Sequence, residues 1–116
     1  MPERKPPMPS LPIDDESAPL YSVGQVAVML QVQQAFLRRL DEHEVVRPQR
    51  SAGGQRRYSR REINRLQYVV ELVDEGMTLS AIRRVLELEY EVRVLKRRLE
   101  AARRRIAELE GRSHRR

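Results

Sequence analysis

Six arginines and no acidic residue lie between positions 47 and 61: Arg47, Arg50, Arg56, Arg57, Arg60 and Arg61. Each guanidinium group carries a permanent charge and a fork of donors that fits a phosphate group. Gly53 and Gly54 stand at the centre of this arginine strip, so we expect a turn there and a projecting β-hairpin, or wing. A basic hairpin between two helical segments indicates binding to nucleic acid.

A second group of polar side chains belongs to the helix predicted for residues 33–42: Gln33 and Gln34 lie at its start, and Arg38 and Arg39 lie off its apolar side. A glutamine amide at the start of such a helix can pair with adenine, although solvated glutamines are equally common. Phe36 lies beside Leu37 and Leu40, so a core position is favoured over contact with a thymine methyl group.

The residues before the arginine strip predict two short helices joined by a tight turn. Ser22 precedes Gln25 by three positions, which is the spacing of a capping box, and apolar residues then recur at helical spacing to Leu30. The second helix follows almost at once. Two helices connected in this way are typical of a helix-turn-helix.

The residues after the strip predict two further helices. Ser59 and Glu62 have the spacing of a second capping box, and the helix that they begin is expected to stop at Gly76. Thr78 is the expected cap of a fourth helix. Arg60 and Arg61 fall in the first turn of the third helix, where cations oppose the helix dipole unless an anion binds them.

The C-terminal third contains the most regular pattern in the chain, a seam of apolar residues at alternating spacings of three and four: Val85, Leu88, Val92, Leu95, Leu99, Ala102, Ile106 and Leu109. This is the a/d pattern of a coiled coil. We expect the seam to pair with a second copy, because the rest of the chain is too small to cover so long a helix. A helix that folds back on its own domain remains the alternative.

Composition excludes several classes of protein. The 116 residues have a net charge of +6 and include no cysteine, which rules out disulfides and thiolate metal sites. Neither a membrane-spanning run nor a signal peptide is recognisable, so we expect a cytoplasmic, nucleoid-associated protein without a membrane partner. His43 and His114 stand apart from any nucleophile, and we therefore expect no catalysis, metal or cofactor.

Several separated blocks, in the same order, resemble the MerR family of bacterial transcription regulators. They are YSVGQVA from residue 21, LR at 37–38, VRP at 46–48, RRYS at 56–59 and EGMTLSAI at 75–82. The resemblance covers residues 21 to about 88. The SAGG wing at 51–54, with its doubled arginine, is closer to the heat-shock-repressor (HspR-like) branch of the family than to its metal sensors.

The resemblance implies a winged helix-turn-helix whose second helix enters the major groove. Arg38 matches the family's recognition-helix arginine, Arg56 its wing arginine, and Tyr58 the aromatic residue that follows. Tyr58 is expected to pack its ring on the third helix and to direct its hydroxyl at a phosphate. The complete set of expected DNA-binding residues is Ser22, Gln33, Gln34, Arg38, Arg39, Arg50, Arg56, Arg57 and Tyr58.

Four residues at three places depart from the family's usual pattern. Gln31 replaces a glycine between the first two helices, Phe36 replaces a threonine, and Arg39 with Leu40 replaces an aromatic pair. Contacts by the second helix are therefore less well supported by the resemblance than contacts by the wing.

We expect a mainly α-helical protein: a disordered Pro-rich tail (1–20), a winged helix-turn-helix head of four helices and a β-hairpin wing (21–84), a dimerisation helix forming an antiparallel coiled coil (85–110), and a basic disordered end (111–116). The expected function is sequence-specific binding of double-stranded DNA by a homodimer on an inverted repeat, with repression favoured over activation. RNA polymerase, a protein corepressor and a related heterodimer partner are further candidate partners. Two alternatives are a coiled-coil adaptor and a nucleoid-type DNA-binding protein of low specificity.

Overall fold

The computed structural model describes residues 15–114. The elements in chain order are β1 (Tyr21–Ser22), α1 (Val23–Leu30), α2 (Gln34–Glu42), β2 (Gln49–Arg50), β3 (Arg56–Tyr58), α3 (Arg60–Asp74) and α4 (Leu79–His114). The mainly helical fold with a small wing agrees with the prediction. The chain forms two compact units, a head unit (Met1–Ile82) and a helical unit (Arg83–Arg116), which divide two residues before the predicted boundary at 84.

Both predicted capping boxes are confirmed. The Ser22 hydroxyl accepts a hydrogen bond from the Gln25 amide at 3.2 Å, and the Gln25 side chain accepts one from the Ser22 amide at 2.8 Å. Ser59 and Glu62 repeat this arrangement at the start of α3, with the same two distances. These bonds satisfy N–H groups that a helix start leaves without partners. Local signals alone therefore set where α1 and α3 begin.

The turn between α1 and α2 depends on a strained residue. Gln31 has φ 56° and ψ 45°, the left-handed conformation, and its amide donates to carbonyls of the last turn of α1. A side chain with a Cβ atom is disfavoured there by about 1–2 kcal/mol. Glu44, after the end of α2, has a similar φ of 57°. Both turns are thus made by residues other than glycine.

The sheet has three antiparallel strands in the order β1-β3-β2. The wing hairpin was predicted, whereas the pairing of β1 with β3 was not. Arg57 is the Cα partner of both Ser22 and Gln49, so these three side chains share one face of the sheet. Arg56 and Tyr58 lie on the opposite face. The sheet therefore joins the start of α1 directly to the wing.

The core of the head unit consists of buried side chains from α1, α2, α3 and the first turn of α4, together with Val45, Val46 and Tyr58. The residues contributed by the helices are Val26, Ala27, Leu30, Leu37, Leu40, Ile63, Leu66, Val69, Val70, Leu72 and Ile82. Phe36 is half-buried beside them, as predicted.

Two terminal segments differ from their predictions. The predicted disordered end begins at 111, but α4 continues through Gly111 to His114, and the predicted fourth helix and the C-terminal helix are one element. Residues 15–20 of the predicted tail also have defined contacts with the head unit, including a hydrogen bond from the Arg61 amide to the Glu16 carbonyl at 3.1 Å. The remainder of the predicted tail (1–14) and residues 115–116 lie outside the described residues.

Candidate nucleic-acid interface

The outer face of α2 carries polar side chains that have no task within the fold. Leu37 and Leu40 are buried, whereas Gln34, Arg38 and Arg39 are exposed. Between residues 15 and 114 neither Arg38 nor Arg39 has an ion-pair partner. Two permanent positive charges on an exposed helix face are well suited to DNA, because a phosphate or a guanine edge can take both donors of a guanidinium fork.

The Gln34 side chain reaches the first turn of α1. A Cβ atom built on Gly24 would lie 3.5 Å from the side-chain nitrogen of Gln34 and 4.0 Å from the Ser22 hydroxyl oxygen. The Ser22 hydroxyl caps α1 and is half-buried. Of the predicted DNA-binding residues, Ser22 and Gln34 therefore lie close together on the head unit.

The Gln33 side chain makes no capping hydrogen bond, although Gln33 occupies the N-cap position of α2. It is exposed at the start of the helix, where the predicted contact with a base edge requires it to be.

Two of the wing arginines keep their charge uncompensated. Arg50 donates to the Gly54 carbonyl at 3.2 Å, and Arg57 donates to the Gln55 side chain at 3.0 Å. Both acceptors are neutral, so these bonds shape the wing tip without cancelling the positive charge. Because Arg57 shares a sheet face with Ser22, its charge lies beside the start of α1. Arg50 and Arg57 therefore stay candidate phosphate ligands.

Arg56 is used differently from the prediction. Its Nε lies 3.4 Å from Oδ2 of Asp41 on α2, and the Arg56 side chain is 29% exposed. Nε is buried without a hydrogen-bond partner, so the contact is an ion pair rather than a hydrogen bond. Arg47 pairs with the same carboxylate at 3.6 Å. Two of the six arginines in the strip thus neutralise Asp41 and hold the wing against α2, which local sequence could not reveal.

Tyr58 is also placed differently, because it is only 1% exposed and is part of the core. The pKa of its hydroxyl is raised to about 12, mainly by burial; Asp41 and Glu62 also raise the pKa, and Arg56 lowers it. A hydroxyl buried in this way does not reach a phosphate. The predicted packing role is retained and the predicted DNA contact is corrected.

The start of α3 already has an anion from within the chain. Glu16 accepts the Arg61 amide hydrogen bond through its carbonyl, and its carboxylate lies 3.9 Å from the Arg61 guanidinium. Gln49 donates to the Ser17 carbonyl at 3.2 Å and to the Glu62 carboxylate at 3.4 Å. Sequence reasoning missed Glu16, Gln49 and Asp41, since their partners are distant along the chain.

The seam of α4 is exposed on the helical unit. Leu88 is 42% and Leu95 60% exposed, and Val92, Leu99, Ile106 and Leu109 lie between these values. Ala102 is exposed as well. A row of large apolar side chains in water is unfavourable by about 25 cal/mol per Å². The helical unit therefore presents a surface suited to a partner helix.

Residues 15–114 contain neither a metal-binding cluster nor a membrane-spanning helix. No group of three or more His, Asp or Glu residues there could hold a metal ion. Of the helices in that range, none has the length and apolarity of a membrane span.

Comparison with known proteins identifies related sequences. A family profile described as MerR HTH family regulatory protein matches residues 21–89. A heat shock protein named HspR from Streptomyces coelicolor is 39% identical over 84 residues, which are 72% of this chain and 56% of that protein. The HTH-type transcriptional regulator GlnR from Bacillus anthracis is 33% identical over 73 residues, 63% of this chain and 57% of GlnR. The chain thus spans little more than half the length of these relatives.

Solved structures share the fold. The N-terminal part of MtaN, the multidrug transporter activator of Bacillus subtilis, superposes with a TM-score of 0.55 at 26% identity, covering 77% of this chain and 90% of that one. HiNmlR, described as a MerR family regulator lacking the sensor domain and bound to promoter DNA, gives a TM-score of 0.55 at 22% identity and covers 78% of this chain and 79% of its own.

Proposed function

Since this chain belongs to the MerR family of helix-turn-helix regulatory proteins, we propose that it is a homodimeric transcription regulator that binds an inverted repeat in double-stranded DNA. The observation that carries this proposal is the outer face of α2, where Gln34, Arg38 and Arg39 are exposed and the two arginines lack ion-pair partners among residues 15–114. Base edges are read by such side chains, while Arg50 and Arg57 of the wing hold the phosphate backbone.

Dimerisation is supported by the exposed seam. Its spacing reads the same from both ends, so an antiparallel partner centred on Arg97 would place Val85 against Leu109, Leu88 against Ile106, Val92 against Ala102, and Leu95 against Leu99. Every layer of this pairing joins an a position to a d position, as an antiparallel coiled coil requires. Two heads on one dimer correspond to two half-sites in the DNA.

We favour repression over activation as the mode of regulation. The support is the relative named HspR, a heat shock protein, together with the resemblance of the wing to that branch. Chaperone genes are the corresponding proposed targets. RNA polymerase, a protein corepressor and a related heterodimer partner remain candidate partners of the proposed regulator.

The test begins with selection of a preferred duplex from a random library by the wild-type chain. A sequence-specific regulator should bind that duplex at least about 10³ times more tightly than random duplex at the same salt concentration. A ratio near unity would instead support the low-specificity nucleoid-type protein.

A seam variant tests the dimer separately. Leu95→Lys with Leu99→Lys should give monomers by sedimentation and should abolish binding to the selected duplex. A control with lysine at two exposed positions away from the seam, Ala101 and Ala107, should remain dimeric and bind normally. Unchanged DNA binding by a monomeric seam variant would refute the dimer proposal. If the chain is instead an adaptor, neither the seam variant nor the control variant should bind DNA.

A further inference from the structure

The positive charge of the helical unit is concentrated in one part of α4. Residues 93–105, called the basic stretch, contain seven basic side chains and one acidic side chain, a net charge of +6. The whole chain has the same net charge, so the basic and acidic residues outside the basic stretch are equal in number. At about 1.5 Å per residue the basic stretch is roughly 20 Å long. Such a density of charge attracts anions strongly.

Most of this charge is not neutralised within the chain. Arg105 is paired, to Glu108 at 3.5 Å, whereas Arg97, Arg98 and Arg104 have no ion-pair partner among the described residues. Glu100, the acidic residue of the stretch, likewise forms no ion pair within residues 15–114. By contrast, Arg83 and Arg84 near the start of α4 both contact Glu87. The two parts of one helix are therefore electrostatically different.

Three arginines of the basic stretch form a row away from the seam. At about 100° per residue, Arg93, Arg97 and Arg104 lie within about 40° of one another and roughly opposite the middle of the seam. All three are exposed, and the guanidinium of Arg93 lies 5.9 Å from the ring centre of Tyr90. A partner helix on the seam would leave this row, called the outer row, uncovered.

Pairing through the seam would increase the charge density further. With the proposed register centred on Arg97, the basic stretches of the two copies overlap for most of their length. Basic side chains that flank the seam then lie within about one Debye length of like charges on the other copy, roughly 8 Å at physiological salt, while the two outer rows face away on opposite sides of the pair. A bound polyanion relieves this repulsion, because it replaces many loosely held counterions at once.

We propose that the outer row of α4 is a second nucleic-acid site, which binds the phosphate backbone of double-stranded DNA without reading its sequence. It rests on the proposed function only in taking the chain to be a dimer. Phosphate is the favoured anion because six of the seven basic residues are arginines, whose forked donors match its oxygens. A dimer with this site holds a second duplex while its heads occupy the first.

The experiment compares two triple variants of the full chain. Arg93→Gln, Arg97→Gln, Arg104→Gln removes the outer row. Arg83→Gln, Arg84→Gln, Arg105→Gln removes the same charge from the same helix, but at arginines that are already paired to glutamates. Sedimentation should show both variants as dimers, since none of these residues belongs to the seam.

Binding of a random-sequence duplex is then measured over a range of salt concentration. Loss of the outer row should weaken binding about tenfold near 0.1 M salt and lower the salt slope by about 2–3 units, because each lost phosphate contact removes about 0.9. The control variant, Arg83→Gln with Arg84→Gln and Arg105→Gln, should lower the salt slope by less than about one unit. The proposal would be overturned if the two triple variants changed the affinity and the salt slope equally, or if neither variant changed them.

Two further measurements identify the ligand. Wild-type dimer saturated with the selected duplex should retain a labelled random duplex, and the outer-row variant should not. Polyglutamate is the competing probe: if loss of the outer row weakens polyglutamate binding and leaves duplex binding unchanged, the site belongs to an acidic polypeptide and the proposal is wrong. Measured in the outer-row variant, the ratio of selected to random affinity reports on the heads, so failure of the proposed function is recognised separately.

Discussion

The Asp41 carboxylate lies 3.4 Å from Nε of Arg56 and thereby joins the last turn of α2 to strand β3 of the wing. Its other oxygen contacts Arg47, at 3.6 Å, just before strand β2. One acidic side chain, 16% exposed, therefore fixes the base of the wing from both sides. The helix proposed to read bases and the wing proposed to hold phosphates are positioned relative to each other by this contact.

Asp41→Asn should lower the free energy of unfolding by about 1–3 kcal/mol, because it leaves the half-buried Arg56 cation unpaired. It should also strengthen binding to random duplex, since the Asp41 charge no longer compensates Arg56, while Arg47 keeps only its contact with Glu44 at 3.7 Å. Urea denaturation and a salt-titrated binding assay measure the two effects. Glu42→Gln is the matched control: it changes the same charge on an exposed neighbour in α2 and should not alter stability by more than about 0.5 kcal/mol.

Stability should fall in alkali because of Tyr58. Its pKa is raised from 10.0 to about 12 in the folded state, so the folded chain holds the proton more tightly than the unfolded chain does. The contribution is fully present below pH 10 and is lost as the pH rises towards 12, by about 2–3 kcal/mol in total. Tyr58→Phe should remove this loss. Tyr90→Phe, at an exposed tyrosine, should keep the wild-type pH dependence; if it behaves like Tyr58→Phe, the assignment is wrong.

Gln31→Gly should stabilise the head unit by up to about 1 kcal/mol, because glycine adopts the left-handed conformation without the Cβ penalty. Gln33→Gly provides the comparison, since Gln33 has an ordinary φ of −80° and gains nothing from glycine. Thermal or urea unfolding measures the change in stability of each variant. A similar gain at both positions would show that backbone strain is not the cause.

Arg38→Gln should weaken binding to the selected duplex by about 10- to 100-fold without changing stability, as expected for one lost base or phosphate contact on the α2 face. Arg65→Gln removes the same charge from an exposed arginine of α3, which likewise has no ion-pair partner among the described residues. This control variant should lower the affinity for the selected duplex by less than about threefold, because it changes only the net charge. Equal losses would mean that α2 does not contact the DNA directly.

The orientation of the proposed coiled coil can be measured by cross-linking, because the chain has no cysteine of its own. A mixture of Val85→Cys and Leu109→Cys chains should form a disulfide between the two variants under oxidising conditions, since the antiparallel register places these residues together. Either variant alone should cross-link poorly. Efficient cross-linking of each variant to itself would instead show parallel helices.

Sequence could predict the parts of this fold that depend on close neighbours. The pairs Ser22–Gln25 and Ser59–Glu62 are three residues apart, so the starts of α1 and α3 follow from spacing alone, and the apolar periodicity gives each helix its buried side. The ends were less certain. A disordered end was predicted from 111, but the glycine at that position costs only about 1 kcal/mol in a helix and does not end α4.

The candidate site was predicted only in part, because its ion pairs join distant positions. The arginine strip gave no sign that Arg56 would face Asp41, 15 positions earlier, or that Arg61 would bind Glu16. Strand alternation in β3 decides which arginine points to the acidic partner, and that alternation is known only once the strand is placed. The exposed arginines of α2 were correctly placed by periodicity, since a helix face requires no distant partner.

The turn at the wing tip is closed by its own hydrogen bonds, from the Ser51 amide to the Gln55 carbonyl at 2.8 Å and from the Gln55 amide to the Ser51 hydroxyl at 3.1 Å. Arg50 of β2 and Arg57 of β3 also donate to Gly54 and Gln55, so the tip and the two strands hold each other in place. A one-residue insertion between Arg56 and Arg57 would turn Arg57 inward and Tyr58 outward, which would exchange a proposed phosphate ligand for a core residue.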